Sequence, residues 1–503
     1  MRRKTSRRLE GQHVLTVDQM YQADAAAIAS GIDGITLMEN ASAAVARAIT
    51  ARWSPRPTLV LCGPGNNGGD GFGVALELRR ARWPVTLALL GDRAALKGGA
   101  AIMAERWPGS VEPLEVGLLA GDGLVVDALF GAGLARPIGG VAGEVISAVA
   151  ERGLGVVAID VPSGVDGDTG AVNGVAAPAD ITVTFFRPKP GHLLMPGRAL
   201  RGDLVVADIG IPPSVLDDIA PTTRVNGPRL WGDRIPWPAP DGHKYQRGHA
   251  VVVGGETTTG AARLAARAAL RAGAGLVTVA APGESFGIYA AALTSVMVAS
   301  IRPDPAFRAL LDDPRKNAFL IGPGNGVSEQ TAAMTLAALK ARKKCVLDAD
   351  ALTSFAGAPD ALFAAIGEGP GPGACVLTPH DGEYARLFGL DGDRVSRARA
   401  AAERVGAVVL LKGPESVIAA PDGRTAISVN GPPTLATAGT GDVLAGFVVG
   451  LMAAGVDGFD AACMASWLHG ETAHAVGPGM ISEDLADRLP DVFRQLRPTQ
   501  DWS

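Results

Sequence analysis

The first residues whose types and spacing carry chemistry are Cys62-Gly63-Pro64-Gly65-Asn66-Asn67-Gly68-Gly69-Asp70-Gly71, directly after the apolar run TLVL at 58–61. Gly63-x-Gly65-x-x-Gly68 satisfies the dinucleotide fingerprint, in which glycines let a pyrophosphate approach a helix N-terminus. Two features depart from an oxidoreductase. The second strand, at 85–90, has no carboxylate at its end; the first candidate is Asp92. Asp70 sits in the glycine loop near the start of the next helix, where it would repel a pyrophosphate unless a cation or sugar hydroxyls lay between them. Asn66, Asn67 and Asp70 instead offer amide and carboxylate groups to hydroxyls or a metal ion. A plain turn or helix cap accounts for NG or GD alone, not for six such residues in succession.

Two more loops follow apolar strands. VVDALFGAGLARPIGG carries Asp127, Gly131, Gly133 and Arg136; AIDVPSGVDGDTG carries Asp160, Pro162, Ser163 and Gly164. In an open α/β sheet all three loops gather at the carboxyl edge, where ligands bind. Asp127, Ser163 and Asn67 are hard oxygen donors suited to a monovalent or divalent cation; without thiolate or imidazole, zinc is a poor candidate. In the second half, TAGTGDVLAG lets the backbone N–H groups of Gly439, Thr440 and Gly441 converge on an anion at a helix N-terminus. Asp442 then faces whatever the anion is bonded to. A carboxylate beside a phosphate-sized hole suits proton removal from a hydroxyl attacking a phosphoryl group. No GxxxxGK[ST] occurs, so this is not a P-loop enzyme. His469 and His474 are five apart, off a common helix face, and match no zinc motif.

The elements that must position these groups read as α/β. At 503 residues the chain exceeds the ~250–300 at which single cores stop growing. Two helical patterns at 16–49 precede apolar runs at 58–61, 85–90, 124–126, 155–159, 181–184 and 204–206. Several are separated by Ala/Arg/Glu-rich stretches of helical length. Runs without polar alternation indicate a parallel sheet covered on both faces. Pro212, Pro213, Pro221, Pro228, Pro236, Pro238 and Pro240 then crowd a segment expected to lack regular structure. The α/β rhythm resumes with HAVVVGG, GLVTVAAP, NAFLIGPG, CVLDADAL, ACVLTPH and AVVLLKG. The expected domains are 1–213 and 243–503, joined by a Pro-rich linker at 214–242. GPGN follows a strand in both halves, weak evidence of duplication.

Hydrophobic content of 47%, 19% charged residues and a net charge of −5 describe an ordinary soluble protein with no pull toward nucleic acid or anionic membrane. The apolar run at 443–456 is shorter than the ~20 residues a bilayer requires and reads as a buried helix. Cys62, Cys345, Cys375 and Cys463 form no CxxC and read as reduced core thiols of a cytoplasmic protein. MRRKTSRRLE lacks the apolar segment of a secretory signal and reads as a disordered arm.

The three loops of the first half, with LMENAS at 37–42, resemble the YjeF N-terminal family, the NAD(P)H-hydrate epimerases, over residues 16–213. The resemblance implies a Rossmann-like doubly wound domain. It puts Asn66, Asn67, Gly68, Gly69, Asp70, Gly131, Ala132, Gly133, Leu134, Ala135, Arg136, Pro137 and Asp160 on the hydrated dinucleotide, and potassium on Asn67, Asp127 and Ser163. Ser42 and Ala132 stand where Gly and Thr are expected. The second half resembles the ribokinase-like fold, and within it LTPHDGE, with His380 where the small-molecule kinases usually carry Asn, resembles the NAD(P)H-hydrate dehydratases. So do residues 257–278 and IGPGNG, for a match over 243–496. This resemblance implies that Ala261, Gly324, His380 and Asp442 meet the hydrate. It also implies that Lys412, Gly413, Pro414, Glu415, Ser416, Thr437, Ala438, Gly439, Thr440 and Gly441 meet the nucleotide.

Together the two resemblances imply repair of NADHX and NADPHX: epimerisation, then dehydration with ADP as co-substrate and Mg²⁺. Asp442 is the catalytic base, and a homo-oligomer is the expected assembly. A phosphomethylpyrimidine- or hydroxyethylthiazole-type kinase fused to an unrelated module, and a non-enzymatic nucleotide sensor, are the competing readings.

Overall fold

The computed structural model describes residues 8–119, 123–134, 136–301, 305–389 and 391–497. The chain separates into two compact units that meet at Thr223 and Arg224. In the first, the strands are β1 (Thr58–Cys62), β2 (Val85–Leu89), β3 (Glu112–Pro113), β4 (Leu124–Ala128), β5 (Gly155–Ile159), β6 (Ile181–Phe185) and β7 (Asp203–Ala207). They form one sheet in the order β3-β2-β1-β4-β5-β6-β7, with every neighbouring pair parallel. Val60, Val126 and Ile159 face a core closed by helices Gly34–Arg52 and Asn66–Arg80. Leu59, Leu61 and Val125 face the opposite layer, closed by helix Gly140–Arg152. Burial on both faces is why these strands read as unbroken apolar runs.

β1 and β4 are neighbours from which the strand order runs in opposite directions, so the loops after them diverge and leave a crevice at the carboxyl edge. A Cβ on Gly63 would lie 1.8 Å from the Leu129 carbonyl oxygen, and one on Gly68 would lie 1.8 Å from that of Gly63. The glycines of the fingerprint therefore serve backbone-to-backbone closure.

The second unit contains β9 (His249–Val253), β10 (Leu276–Pro282), β11 (Met297–Ile301), β12 (Ala318–Ile321), β13 (Lys344–Leu347), β14 (Cys375–Leu377), β15 (Val408–Leu411), β16 (Ser416–Ala419) and β17 (Thr425–Ser428). The sheet order is β11-β10-β9-β12-β13-β14-β15-β16-β17, with β8 (Thr223–Val225) at the β17 edge. Pairs from β11 through β15 are parallel; β15-β16 and β16-β17 are antiparallel. The run at 443–456 lies in the buried helix Thr440–Ala453, which packs on helix Thr259–Ala272. Their closeness rests on small residues: a Cβ on Gly446 would sit 2.3 Å from the Ala265 carbonyl oxygen, and one on Gly450 would sit 2.4 Å from that of Ala269.

The Pro-rich segment differs from its expected irregularity. It carries helix Val215–Ile219, β8, and helix Pro228–Trp231, whose proline stands at the first helical position. Trp231 is fully buried, and its indole N–H donates to Asn226 Oδ1 at 3.0 Å. Asn226 Nδ2 in turn donates to Ser428 Oγ and the Cys463 carbonyl oxygen, both at 2.7 Å. Residues after Arg224 therefore belong to the second core. Prolines forbid long elements here but not short ones anchored by a tryptophan. Of the expected N-terminal arm, residues 1–7 lie outside the described residues, and Leu9 is buried. All four cysteines are free and buried. Among the described residues no helix is long and apolar enough to cross a membrane.

Candidate functional site

At the carboxyl edge of the first sheet lies a cavity of ≈ 920 Å³. Asn66, Asn67 and Asp70, in the first turns of helix Asn66–Arg80, line it together with Gly131, Ala132, Gly133, Leu134, Arg136 and Asp160. Gly68 and Gly69 are buried behind this wall, and Pro137 follows Arg136 without lining the cavity. Ala135 lies outside the described residues.

Asp160 is the most constrained of these side chains. It follows β5 with φ +66, a left-handed conformation uncommon for a residue with a Cβ. Its Oδ1 accepts from Lys189 Nζ at 2.7 Å and Thr184 Oγ1 at 2.9 Å, and its Oδ2 accepts from the Ala132 N–H at 3.1 Å. His192 Nε2 stands 2.7 Å from the Asp160 carbonyl oxygen, and His192 Nδ1 accepts from the Lys189 N–H at 2.9 Å. Burial pushes the Asp160 carboxyl up, but Lys189 and His192 outweigh it and hold it at about 2. Asp70 behaves oppositely: burial and then the charges of Asp160 and Asp24 raise it well above the usual carboxylate range. Ala132 meets Asp160 through its main chain, which is why alanine can stand where threonine was expected.

Asp127 and Ser163 are bonded directly. Ser163 Oγ donates to Asp127 Oδ1 at 2.6 Å, and the Ser163 N–H donates to Oδ2 at 2.8 Å. Burial nevertheless raises the Asp127 carboxyl. Asn67 reaches the Gly131 loop, and its buried Nδ2 has no hydrogen-bond partner. The oxygen and nitrogen of such an amide are interchangeable by rotation, so this unfilled position suits an oxygen aimed at a cation. The described residues contain no group of three His, Cys, Asp or Glu fit for a metal. An amide, a hydroxyl and one carboxylate suit potassium.

Sequence reasoning missed Tyr21, Asp24, Thr184, Lys189 and His192. Lys189 lies in the loop after β6, a fourth loop at the same carboxyl edge, and the edge rule extended by one strand finds it. Tyr21 and Asp24 lie on helix Val17–Ala29. Val17, Met20, Tyr21, Asp24 and Ile28 all line the cavity, the i, i+3, i+4 spacing of a single helix face.

In the second unit, Gly439 adopts φ +86 and starts helix Thr440–Ala453. A Cβ there would meet Leu264 and Ser482 within 2.8 Å. Thr440 Oγ1 donates to the carbonyl oxygens of Leu435 at 2.9 Å and Thr437 at 3.0 Å, which fixes the 437–441 loop. The hydroxyl thus shapes the loop, while the first-turn N–H groups lack intrahelical acceptors. Asp442 is half-buried on that first turn. Burial first, then Asp348, raises its carboxyl to about 6, against the lowering effect of Lys412.

Lys412 Nζ sits 2.6 Å from Asp348 Oδ1 and 3.9 Å from Glu383 Oε2. A Cβ on Gly441 would lie 3.7 Å from the same Nζ, so lysine and glycine loop adjoin. His380 caps helix Asp381–Leu387: its Nδ1 accepts from the Gly382 N–H at 2.9 Å, and its own N–H donates to Glu383 Oε2 at 2.9 Å. Its Nε2 lies 3.3 Å from Glu383 Oε1. Gly324 and Ala261 are neighbours, with a Cβ on Gly324 falling 3.3 Å from that of Ala261. The parallel helix register pairs Ala265 with Gly446 and Ala269 with Gly450.

Gly413 and Pro414 are exposed, Ser416 opens β16, and Glu415 is buried against Arg394 at 3.7 Å. Arg394 also donates to the Lys412 carbonyl oxygen at 2.5 Å, bracing the 412–416 loop. Thr437 and Ala438 are exposed.

The two units are thus a doubly wound Rossmann-like domain and a ribokinase-like domain, each with a polar site at the carboxyl edge of its parallel strands. The family described as YjeF-related protein N-terminus matches residues 34–191, and that described as NAD(P)H-hydrate dehydratase matches 250–491. The chain is 39% identical to a bifunctional NAD(P)H-hydrate repair enzyme of Salinibacter ruber, covering 95% of this chain and 96% of that protein. It is 37% identical to the one of Moorella thermoacetica, covering 96% and 97%. Among solved structures, the ADP/ATP-dependent NAD(P)H-hydrate dehydratase of Bacillus subtilis is 26% identical, with 54% of this chain and 98% of that one covered and a TM-score of 0.48. The chain belongs to the bifunctional NAD(P)H-hydrate repair enzyme family.

Proposed function

We propose that the first unit interconverts the R and S hydrates of NADH and NADPH, and that the second dehydrates the S form using ADP, releasing AMP and phosphate. The observation that carries the reading is Asp442: a carboxylate titrating near 6, on the first turn of a helix whose N–H groups face outward from a fixed glycine loop. Asp442 takes the proton of the ring hydroxyl as its oxygen attacks the terminal phosphoryl group. The N–H groups at Gly439, Thr440 and Gly441 stabilise the transferred charge. Phosphorylation turns a poor leaving group into phosphate, whose departure restores the reduced ring.

Ala261, Gly324 and His380 border the hydrate in this reading. The 412–416 loop and residues 437–441 border ADP, with the Glu415 carboxylate turned inward and the backbone of 413–414 exposed to the nucleotide. Mg²⁺ held mainly by substrate phosphates needs only one or two carboxylates from the protein, and Asp442 and Asp348 flank the position. In the first unit, Asn66, Asn67, Asp70, the 131–137 loop and Asp160 hold the hydrate. Potassium on Asn67, Asp127 and Ser163 would supply positive charge beside the substrate phosphates. Four buried free thiols support a reducing, cytoplasmic setting, and a homo-oligomer is the assembly we propose.

The test is recovery of nicotinamide absorbance from mixed R and S NADHX, with ADP or ATP and Mg²⁺. Complete recovery with ADP supports both activities. Recovery that stops at the S fraction removes the epimerase, and a stable phosphorylated product without absorbance replaces the dehydratase by a kinase.

A further inference from the structure

In the first cavity one buried ammonium, Lys189, lines the wall with three carboxyl groups, Asp24, Asp70 and Asp160, and pairs with Asp160. The lysine is committed to Asp160 at 2.7 Å, with Thr184 Oγ1 at 3.3 Å as its other partner. Asp24 comes from a different element. It is the only charged residue on the cavity-lining face of helix Val17–Ala29, among Val17, Met20, Tyr21 and Ile28. Tyr21, three residues before it, places its hydroxyl over Gly133, where a Cβ would come within 2.2 Å. The helix therefore meets Gly133 one turn before Asp24, and all three residues line the same cavity. The helix also lies outside the matched family segment, which begins at residue 34.

We propose that Asp24 is the proton-transfer group of the epimerase, working beside an Asp160 that Lys189 keeps ionised. The neutral Asp24 carboxyl gives its proton to the ring hydroxyl of the hydrate. The carbon–oxygen bond breaks, water departs, and the ring nitrogen's lone pair stabilises the cation left on carbon. The Asp160 carboxylate offsets that positive charge. Water then adds to the opposite face and gives up one proton to the surrounding water, which reprotonates Asp24, so atoms and charge balance and no co-reactant is consumed. The state of the group agrees with the role: burial, then Asp160, hold Asp24 at about 6 against the lowering effect of Lys189, near the pH at which a carboxyl exchanges protons most effectively.

The inference rests on the epimerase reading, and R-to-S conversion by the unsubstituted chain without ADP tests that reading separately. Epimers are separated chromatographically, and cooperative unfolding of the first unit in the same preparation reports that it is folded. Asp24→Asn should lower kcat by about 10²–10⁴-fold with KM within threefold, and Asp24→Glu should restore part of the loss. In ¹⁸O-labelled water the unsubstituted chain should install one label per inversion. A kcat within threefold in Asp24→Asn, a loss confined to KM, or inversion without label each overturns the proposal. The label experiment uses no variant and stands if the Asn protein fails to fold.

Discussion

Both sites place one lysine among three carboxyl groups, but the lysine chooses differently. In the first cavity Lys189 bonds Asp160, the carboxylate at the 131–137 loop, and drives it to about 2. In the second, Lys412 bonds Asp348 behind the glycine loop and leaves Asp442 at about 6. A lysine in direct contact fixes a carboxylate as an anion; a carboxyl on which burial and like charges outweigh a lysine that does not bond it stays able to exchange a proton. The group to suspect of proton transfer is thus the one the lysine passes over. That is Asp442 in one unit and, in the other, Asp24 and Asp70, of which Asp24 is the one held at about 6 while Asp70 is raised well above the usual range.

The largest expected effect separates the units outright. Gly63→Ala would place a Cβ 1.8 Å from the Leu129 carbonyl oxygen, a clash of backbone on backbone that no rotamer relieves. Epimerase activity and the cooperative unfolding of the first unit should both be lost, while dehydration of S hydrate persists. Retention of epimerisation would mean that the crevice between β1 and β4 tolerates opening. Asp442→Asn should do the converse at the chemical level: dehydration falls by about 10³-fold, epimerisation is unchanged, and the protein melts higher at pH 7.5. The sign follows from linkage. A carboxyl raised from its ordinary value to about 6 makes the native state bind more protons than the unfolded one between those values. Stability is therefore lost as pH rises through that window, and the neutral amide does not lose it.

A finer test moves the titration instead of deleting it. Dehydration kcat/KM should fall about tenfold per pH unit below about 6, where Asp442 becomes protonated. Asp348→Asn removes the carboxylate that raises Asp442 and frees Lys412 to lower it. Both effects have one sign, so the acidic limb should move down by about one unit. An unmoved limb would give the titration to another group and break the parallel between the two lysines.

How much of this was legible depends on whether a residue acts through its neighbours in sequence. The apolar strands, the three loops of the first half and the glycine loop before Asp442 are local patterns, and the structure puts them at the carboxyl edges as expected. The GPGN shared by both halves was less informative. In the first unit it leads into helix Asn66–Arg80. In the second, Asn325 folds back to take the Gly322 N–H at 2.6 Å and donates to the Val253 carbonyl oxygen at 2.8 Å. Lys189 needed the edge rule carried one strand further, Asp24 reaches the cavity from a helix outside the sheet, and the Lys189–Asp160 and Lys412–Asp348 bonds join residues 29 or more apart that only the folded sheet brings together. The hairpin β16-β17 was missed because it abandons the parallel rhythm of every strand before it.

The smallest expected effect concerns Ser42, which stands where the family pattern predicts glycine. Ser42 is buried in helix Gly34–Arg52, and its Oγ donates to the Asp70 carbonyl oxygen at 3.2 Å. A Cβ on Gly73 would fall 2.1 Å from that Oγ, so the two helices cross with one side chain at 42 and none at 73. Gly73→Ala alone should cost about 1–3 kcal/mol through overpacking. Ser42→Gly alone should cost about 1 kcal/mol through helix propensity and the lost hydrogen bond. With both changes the new methyl enters the space the serine vacates, and the double variant should be more stable than the sum of the single losses allows, by about 1 kcal/mol or more. Chemical denaturation of the four proteins measures the coupling. Additive losses would show that the crossing relaxes around either side chain, and Ser42 would then be a neutral departure from the family instead of half of a matched pair.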